Sequence, residues 1–335
     1  MAGETSLTRT YNDVTTLTRD FIRPLIADQI SARIPTLFAL NQMERKEYRA
    51  SGDLLRFPVY KEVGPAQGYT GLGVLATTEA DSFTNAAYEW KQGAAPVTIS
   101  GRDIRKNAGP EAVKPLLKAS VEAAILALAE WAGGANEGIW SSNTESTLTS
   151  LTGLQALVSA TPTTGTVANI NRANVTWWRN QTDSVTTNFS TDGLASMRSL
   201  WTLCSFGTDH PDFIVSTRST WLNYTTALTA TLRYNVNMAP AVARTALMDA
   251  MPNVIEFWGA PMFFDDGAPS NSLYMLNSKY IHFVVHPDAD FELREFVIPN
   301  DQDGIFSQIL FMGELCFSGM RYHGRFTGGT SDTYS

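Results

Sequence analysis

The sequence predicts an α+β protein, and three observations carry that prediction. Residues 110–134 repeat their apolar side chains at helical spacing, and two alternating stretches between residues 54 and 92 have the two-residue period of a β-ribbon. The last third of the chain is a succession of short apolar, strand-like runs. At 335 residues the chain has room for two packed domains, and 44% hydrophobic against 17% charged residues marks it as folded. So few charges also imply that neighbours cover much of its surface.

In chain order, residues 1–18 are polar and rich in threonine and read as an extended arm. Over "DFIRPLIADQISARIPTLFAL", Phe21, Ile22, Leu25, Ile26, Ile30, Ile34 and Leu37 recur near helical spacing, and Pro24 and Pro35 bracket a short amphipathic helix. A helix of that length is marginal in water and must dock on something. In "LLRFPVYKEV", Leu55, Phe57, Val59 and Lys61 alternate with Arg56, Pro58 and Tyr60, and an extended partner returns at "TNAAYEWKQ". About twenty residues rich in Gly, Thr and Ala lie between them, an excursion too long for an idle loop in a compact domain. The pair therefore reads as a projecting ribbon with a flexible tip, and such a ribbon needs a neighbour for stability.

"APVTISGRDI" reads as a further strand. In the helix that follows, Val113, Leu117, Val121, Ala124, Leu128 and Trp131 share one face, while Lys114, Lys118, Glu122 and Glu130 line another. Gly133 and Gly134 stop it, and Pro115 places its regular start there, with residues 110–114 as a preceding turn. A second domain begins near residue 146. It holds a helix at "STDGLASMRSLWTLCSF" capped by Thr191 or Asp192, a strand "DFIVST" and a helix around "RSTWLNYTTAL". The runs "NVIEFWGAPMFF", "SLYMLNSKYIHFVV", "FELREFVI" and "SQILFMGELCFSGMRYHGRF" close the chain as strands, and no internal repeat is evident.

Reaction chemistry is thinly represented. No Gly-x-Ser-x-Gly elbow, P-loop or dinucleotide-binding glycine motif occurs, and "GYTGLG" lacks the Lys-Ser/Thr ending of a phosphate loop. His282 and His286 are four apart on a strand-like run, about 13 Å at ~3.3 Å per residue, too far to share one metal ion. Asp288 and Asp290 could make a carboxylate-rich strand end for Ca²⁺, but a solvated charged face is the simpler reading. Asp265-Asp266 reads as a turn before it reads as a paired-acid hydrolase site. No catalytic residue, cofactor or metal is therefore expected. Cys204 and Cys316 sit in apolar settings and read as buried free thiols, which fits a reducing cytosol. The start of the sequence shows no signal segment, and the longest apolar run is too short for a bilayer. A net charge of -8 without a basic cluster argues against sequence-specific nucleic-acid binding.

Trp177 and Trp178 stand side by side in "NVTWWRN". They could form a stacking platform for sugars or bases, but a buried aromatic anchor suits their surroundings better. What remains is a set of apolar extensions, a rod and a polar second domain, the pattern of a building block.

The run "TGLQALVSATPTTGTVANINRANVTWWRNQ", Thr152 to Gln181, resembles the tailed-bacteriophage major capsid proteins. The carriers are Gly153-Leu154, the Gly165-Thr166 turn, the Ile170-Asn171-Arg172 step and the Trp178-Arg179 pair. The order of segments is similar to the Hong Kong 97 phage capsid fold. That resemblance implies an N-terminal arm over residues 1–45 and a first part of the peripheral P-domain over 46–145, with an E-loop at 54–92 and a spine helix at 110–132. It further implies an axial A-domain over 146–284 and P-domain strands over 285–335.

The resemblance implies, too, a protein of the virion, assembled in a bacterial cytoplasm from hexamers and pentamers of itself around double-stranded DNA. Separate scaffolding, portal and decoration proteins would be its partners. Phe21, Ile22, Leu25, Phe57, Val59, Tyr69 and Leu72 would make the contacts between subunits, and Gly64, Gly68, Gly71 and Gly73 would let the E-loop tip change angle. Lys61 and Lys91 lie on the ribbon, yet no asparagine can be assigned as a crosslinking partner. Two other readings stay open: an encapsulin-type compartment of the same fold, and a glycan-binding surface module using Trp177 and Trp178.

Overall fold

The computed structural model describes residues 34–50, 52–61, 68–72, 83–106, 110–185, 188–231 and 254–328. Its strands, in chain order, are β1 Lys46–Tyr48, β2 Leu54–Tyr60, β3 Phe83–Glu89, β4 Lys91–Ser100, β5 Thr166–Val167, β6 Ile170–Asn171, β7 Gln181–Val185, β8 Phe213–Ser216, β9 Ile255–Phe257, β10 Ala260–Phe264, β11 Ser272–Leu276, β12 Ile281–Val285, β13 Glu292–Leu293, β14 Gly304–Phe317 and β15 Gly324–Gly328.

Two sheets organise them. The first is built on β14, which pairs antiparallel with β4 from Gly304↔Ser100 to Gly313↔Lys91. On its other edge β14 takes β13 and then β12, and β1 joins β12 in parallel. The helix Pro110–Gly133 lies against β4. Trp131 covers Gly93, where a Cβ would come within 2.6 Å of the indole, and meets Phe311 edge-on at 6.0 Å. Leu117, Ala124 and Leu128 of the expected apolar face are buried, joined by Ile125, Ala129 and Ala132. The helix begins at Pro110 rather than Pro115. Proline suits a first helical position, whereas Pro115, in the second turn, leaves the Glu111 carbonyl without its helical donor. "GRDI" does not continue β4 either: Gly101–Lys106 is a short helix, turned at Gly101 by close packing on Asp303.

The second sheet has the order β7-β15-β11-β8-β10-β9. Every residue of β8 and β11 is buried, because the sheet is covered on both faces. Phe213, Val215, Tyr274 and Leu276 face the large core that includes the first sheet and the long helix. Ile214, Met262, Leu273 and Met275 face a second core with Met197, Leu200 and Trp201 of the helix Leu194–Cys204. That helix is entered through a π-turn at Phe189–Gly193, so neither Thr191 nor Asp192 acts as its cap.

Three of the expected strands divide. "NVIEFWGAPMFF" is a hairpin of β9 and β10, with Trp258 and Gly259 at φ +46° and +94° as its two-residue turn. "SLYMLNSKYIHFVV" leaves the second sheet as β11 and enters the first as β12, turning where Asn277 Oδ1 accepts from Lys279 N at 3.0 Å. "SQILFMGELCFSGMRYHGRF" makes the reverse crossing, from β14 to β15. The two crossings are stapled by stacked Tyr280 and Tyr322, ring centres 4.1 Å apart, and by Ser318 N donating to Tyr280 O at 3.0 Å. β12 therefore belongs to the first sheet and β15 to the second.

The helix foreseen between Pro24 and Pro35 lies outside the described residues. A helix does run from Pro35 to Gln42, and Asp265 caps it from 229 residues away, accepting from Thr36 N at 3.3 Å and Thr36 Oγ1 at 2.6 Å.

Candidate functional site: a ribbon and its buried root

β2 and β3 pair from Leu54↔Glu89 to Tyr60↔Phe83. Alternation sorts their side chains, and the inward set, Leu55, Phe57, Val59, Ala86 and Tyr88, is buried on the chain's own body. Phe57 stacks on His282 at 4.7 Å, meets Tyr88 edge-on at 6.2 Å and lies under the Arg49 guanidinium at 4.5 Å. Phe57 and Val59, 5% and 7% exposed, are thus spent inside their own subunit and are not free to lie across another, as the sequence reading had them. The reason is the register: the inward side of the ribbon stands over β12 and β14, not over open solvent.

At the far end the ribbon is bare. Tyr60 and Phe83, directly cross-strand with rings 4.8 Å apart, are 75% and 60% exposed. Tyr69 and Leu72 beyond them are exposed as well. Gly68 and Gly71 have no atom near an added Cβ, and Gly71 takes φ +54°, open to glycine without strain. Gly64 and Gly73, and Phe21, Ile22 and Leu25, lie outside the described residues.

The ribbon's root is a buried polar node. Tyr88 Oη donates to Phe317 O at 2.8 Å and accepts from Phe317 N at 3.0 Å. Lys91, fully buried, donates from Nζ to Glu145 O at 2.5 Å. Glu145 Oε1 accepts from Ala168 N at 2.6 Å. Glu314 Oε1 accepts from Thr152 N at 2.9 Å and Leu315 N at 2.8 Å, and its Oε2 lies 3.1 Å from Thr152 Oγ1. Burial pushes the Glu314 carboxyl up to about 8, against the opposing charge of Lys91, and raises Glu145 as well. Desolvation also lowers Arg172 to about 10, partly offset by Tyr88 and Glu145.

Beside the node, the residues that carried the resemblance form one scaffold. A Cβ on Gly153 would meet Ser141 O at 1.9 Å, so only glycine lets these backbones touch. Arg172, 1% exposed, donates to Ala156 O at 2.9 Å and to Leu157 O, holding the end of the short helix Leu154–Leu157. Arg179 Nε returns to Arg172 O at 2.7 Å. Trp178 is fully buried and donates from Nε1 to Val167 O at 3.1 Å, while half-buried Trp177 leans on it edge-on at 5.8 Å. The pair sits in a 3-10 turn, Thr176–Trp178, which turns both rings toward one core.

The other candidates are occupied. Asp290 accepts twice from Lys46 Nζ, at 2.8 and 2.7 Å, and once from Tyr48 Oη at 2.8 Å. Asp266 pairs with Arg218 at 2.9 Å, and His282 contacts Glu47 at 2.5 Å and Ser318 at 3.1 Å. Among the described residues no group of three or more His, Cys, Asp or Glu side chains is placed to hold a metal ion, and no helix is long and apolar enough to cross a membrane. Cys204 and Cys316 are buried free thiols. Sequence reasoning missed Tyr60, Phe83, Glu145 and Glu314. A signal existed for the last, a lone acid inside the apolar run "LFMGELCF".

No family model and no curated protein matches the sequence. Solved structures do share its fold. A chain of the cyanophage A-1(L) capsid asymmetric unit superposes with a TM-score of 0.65 at 15% identity, covering 89% of this chain and 93% of that one. A Gordonia phage Cozz chain gives 0.55 at 12% identity over 87% and 86%. The capsid of the native GTA particle gives 0.52 at 10% identity over 87% and 91%. The α+β architecture is thus that of phage capsid chains, in the Hong Kong 97-like layout of ribbon, long helix and two sheets.

Proposed function

We propose that this chain is a major capsid protein of a tailed phage, assembling from hexamers and pentamers of itself into the closed head shell around double-stranded DNA. One observation carries the reading: a fold shared with capsid chains holds out a ribbon whose end leaves Tyr60, Phe83, Tyr69 and Leu72 exposed. Such a patch calls for a partner, and head-to-tail contacts among identical subunits close into rings and shells. Two exposed aromatic rings offer roughly 250 Å² of apolar surface, about 6 kcal/mol per ribbon at ~25 cal/mol per Å² before ordering costs. Repeated over a shell, contacts of that size hold it together. Phe21, Ile22 and Leu25 add apolar surface to the same contacts, and the glycines at 64, 68, 71 and 73 let the tip meet neighbours at different angles. The wall is acidic overall, at -8 per chain, and releases the DNA it surrounds instead of trapping it. Scaffolding and portal proteins belong to the assembly pathway this implies, with the virion as the final location and the bacterial cytoplasm as the place of assembly.

The test is the double substitution Tyr60→Ser and Phe83→Ser. Both side chains are exposed, so the subunit stays folded by circular dichroism, while closed particles disappear from negative-stain images. Normal particles from the variant refute the ribbon's role. Nuclease-protected DNA inside wild-type particles separates a phage head from an enzyme-filled compartment of the same fold.

A further inference from the structure

Three segments distant in sequence bring a serine, a histidine and a glutamate into one hydrogen-bonded row beside the ribbon. β1 supplies Glu47, β12 supplies His282, and Ser318 follows the last residue of β14. Ser318 Oγ lies 3.1 Å from His282 Nε2, and His282 Nδ1 lies 2.5 Å from Glu47 Oε1. The two contacts use opposite nitrogens of the ring. Hydroxyl, imidazole and carboxylate thus follow one another in the order that activates a serine for attack.

We propose that Ser318, His282 and Glu47 form a nucleophilic triad that hydrolyses short acyl esters. Glu47 orients the base. Its Oε2 accepts an N–H from the Arg49 guanidinium at 3.1 Å. Burial pulls its carboxyl up, but hydrogen bonds from His282 and Arg49 hold it below the ordinary value of 4.5. An ionised carboxylate has no proton to give, so Nδ1 of the neutral ring donates and Nε2 is left to accept the Ser318 O–H. Phe57 of the ribbon, stacked on the imidazole at 4.7 Å and 28°, fixes the plane of the ring. Ser318 N donates to Tyr280 O at 3.0 Å and fixes the backbone of the nucleophile. The N–H of Gly319, the residue after it, has no acceptor among the described residues and is the donor available to an oxyanion. The His282 side chain is 19% exposed and Ser318 is half-buried, an opening that admits water and a short acyl group.

The reaction balances without a cofactor. Ser318 Oγ bonds to the acyl carbon as its proton passes to His282 Nε2. The ester C–O bond then breaks, and Nε2 hands that proton to the departing alcohol. Water attacks the acyl-serine, again giving a proton to Nε2, and the proton returns to Ser318 Oγ as the carboxylic acid leaves. The whole row lies within one subunit and acts whether or not subunits assemble.

Diisopropyl fluorophosphate on dissociated full-length subunits tests it. Ser318 Oγ bonds to phosphorus as fluoride leaves, and peptide mass spectrometry finds the adduct on Ser318. Ser318→Ala loses that adduct and the matching share of p-nitrophenyl acetate hydrolysis. His282→Gln slows labelling of Ser318 by about 10²–10⁴-fold, the size of a general-base contribution. Glu47→Gln, which no longer sets the tautomer, slows it by at least about tenfold. Wild-type chains unfolded in urea lose the preference for Ser318, a comparison that holds even if a variant does not fold. No adduct on Ser318 in folded wild type overturns the proposal, and so does labelling just as fast in His282→Gln or in urea.

Discussion

Replacing Trp178 separates anchor from surface in the tryptophan pair. Trp178 has no solvent exposure, and its indole N–H satisfies the Val167 carbonyl. Trp178→Ala removes a large buried ring, about 3–5 kcal/mol for aromatic truncation in a core. It also strands a buried carbonyl, worth about 1–3 kcal/mol more. Trp178→Phe keeps most of the ring and loses only the donor and some volume, about 2 kcal/mol. Trp177, half-buried, costs about 1 kcal/mol on truncation, and a double-mutant cycle returns a coupling of about 0.5–1.5 kcal/mol for the edge-on pair. The assay is urea denaturation of dissociated subunits followed by circular dichroism, comparing midpoints at constant m. Equal losses from Trp177→Ala and Trp178→Ala would refute the anchor reading. So would a Trp178→Phe variant as stable as wild type, because the N–H to Val167 would then be idle.

Other expectations rest on single contacts. Gly153→Ala drives a methyl group into the Ser141 backbone and leaves little soluble subunit at 37 °C, whereas Gly68→Ala, facing open space, leaves yield and melting temperature unchanged. Asp265→Ala removes the carboxylate that caps Pro35–Gln42 and costs about 1–2 kcal/mol, read by the same denaturation assay; Asp265→Asn recovers part of it. Asp290→Ala leaves the Lys46 ammonium partly buried without its acceptor and costs about 3 kcal/mol. His323 is held neutral, its pKa lowered by burial to about 3. Its contribution is intact above the ordinary value near 6.5 and is lost as pH falls from there toward 3, so the acid limb of the stability profile is shallower in His323→Leu.

Much of this fold could be read from the residues, and the failures have physical causes. The ribbon and the long helix declare themselves by period, since one face of each is buried and the other is not. Pro115 misled because a single proline in the second turn did not stop a helix whose later turns pack on the sheet. The strands of the second sheet hid their turns: with both faces covered they carry no alternation, so apolar content ran on through Trp258-Gly259 and through Asn277 to Tyr280. The site was legible in its chemistry but not in its partners. Tyr60 and Phe83 sit 23 positions apart and become one exposed pair only through ladder register. Glu314 announced itself as an acid among apolar neighbours, but Lys91, Thr152 and Glu145 are brought to it by tertiary packing that no local pattern encodes.

The place of β15 has a consequence for how the chain is made. Among the described residues, β7, at residues 181–185, finds its only ladder neighbour in residues 324–328, which also close the free edge of β11. A ribosome must add some 140 residues after β7 before that gap can be filled. Nascent chains therefore carry an incomplete sheet until nearly the end of their synthesis, and a fragment cut short before Gly324 cannot finish it.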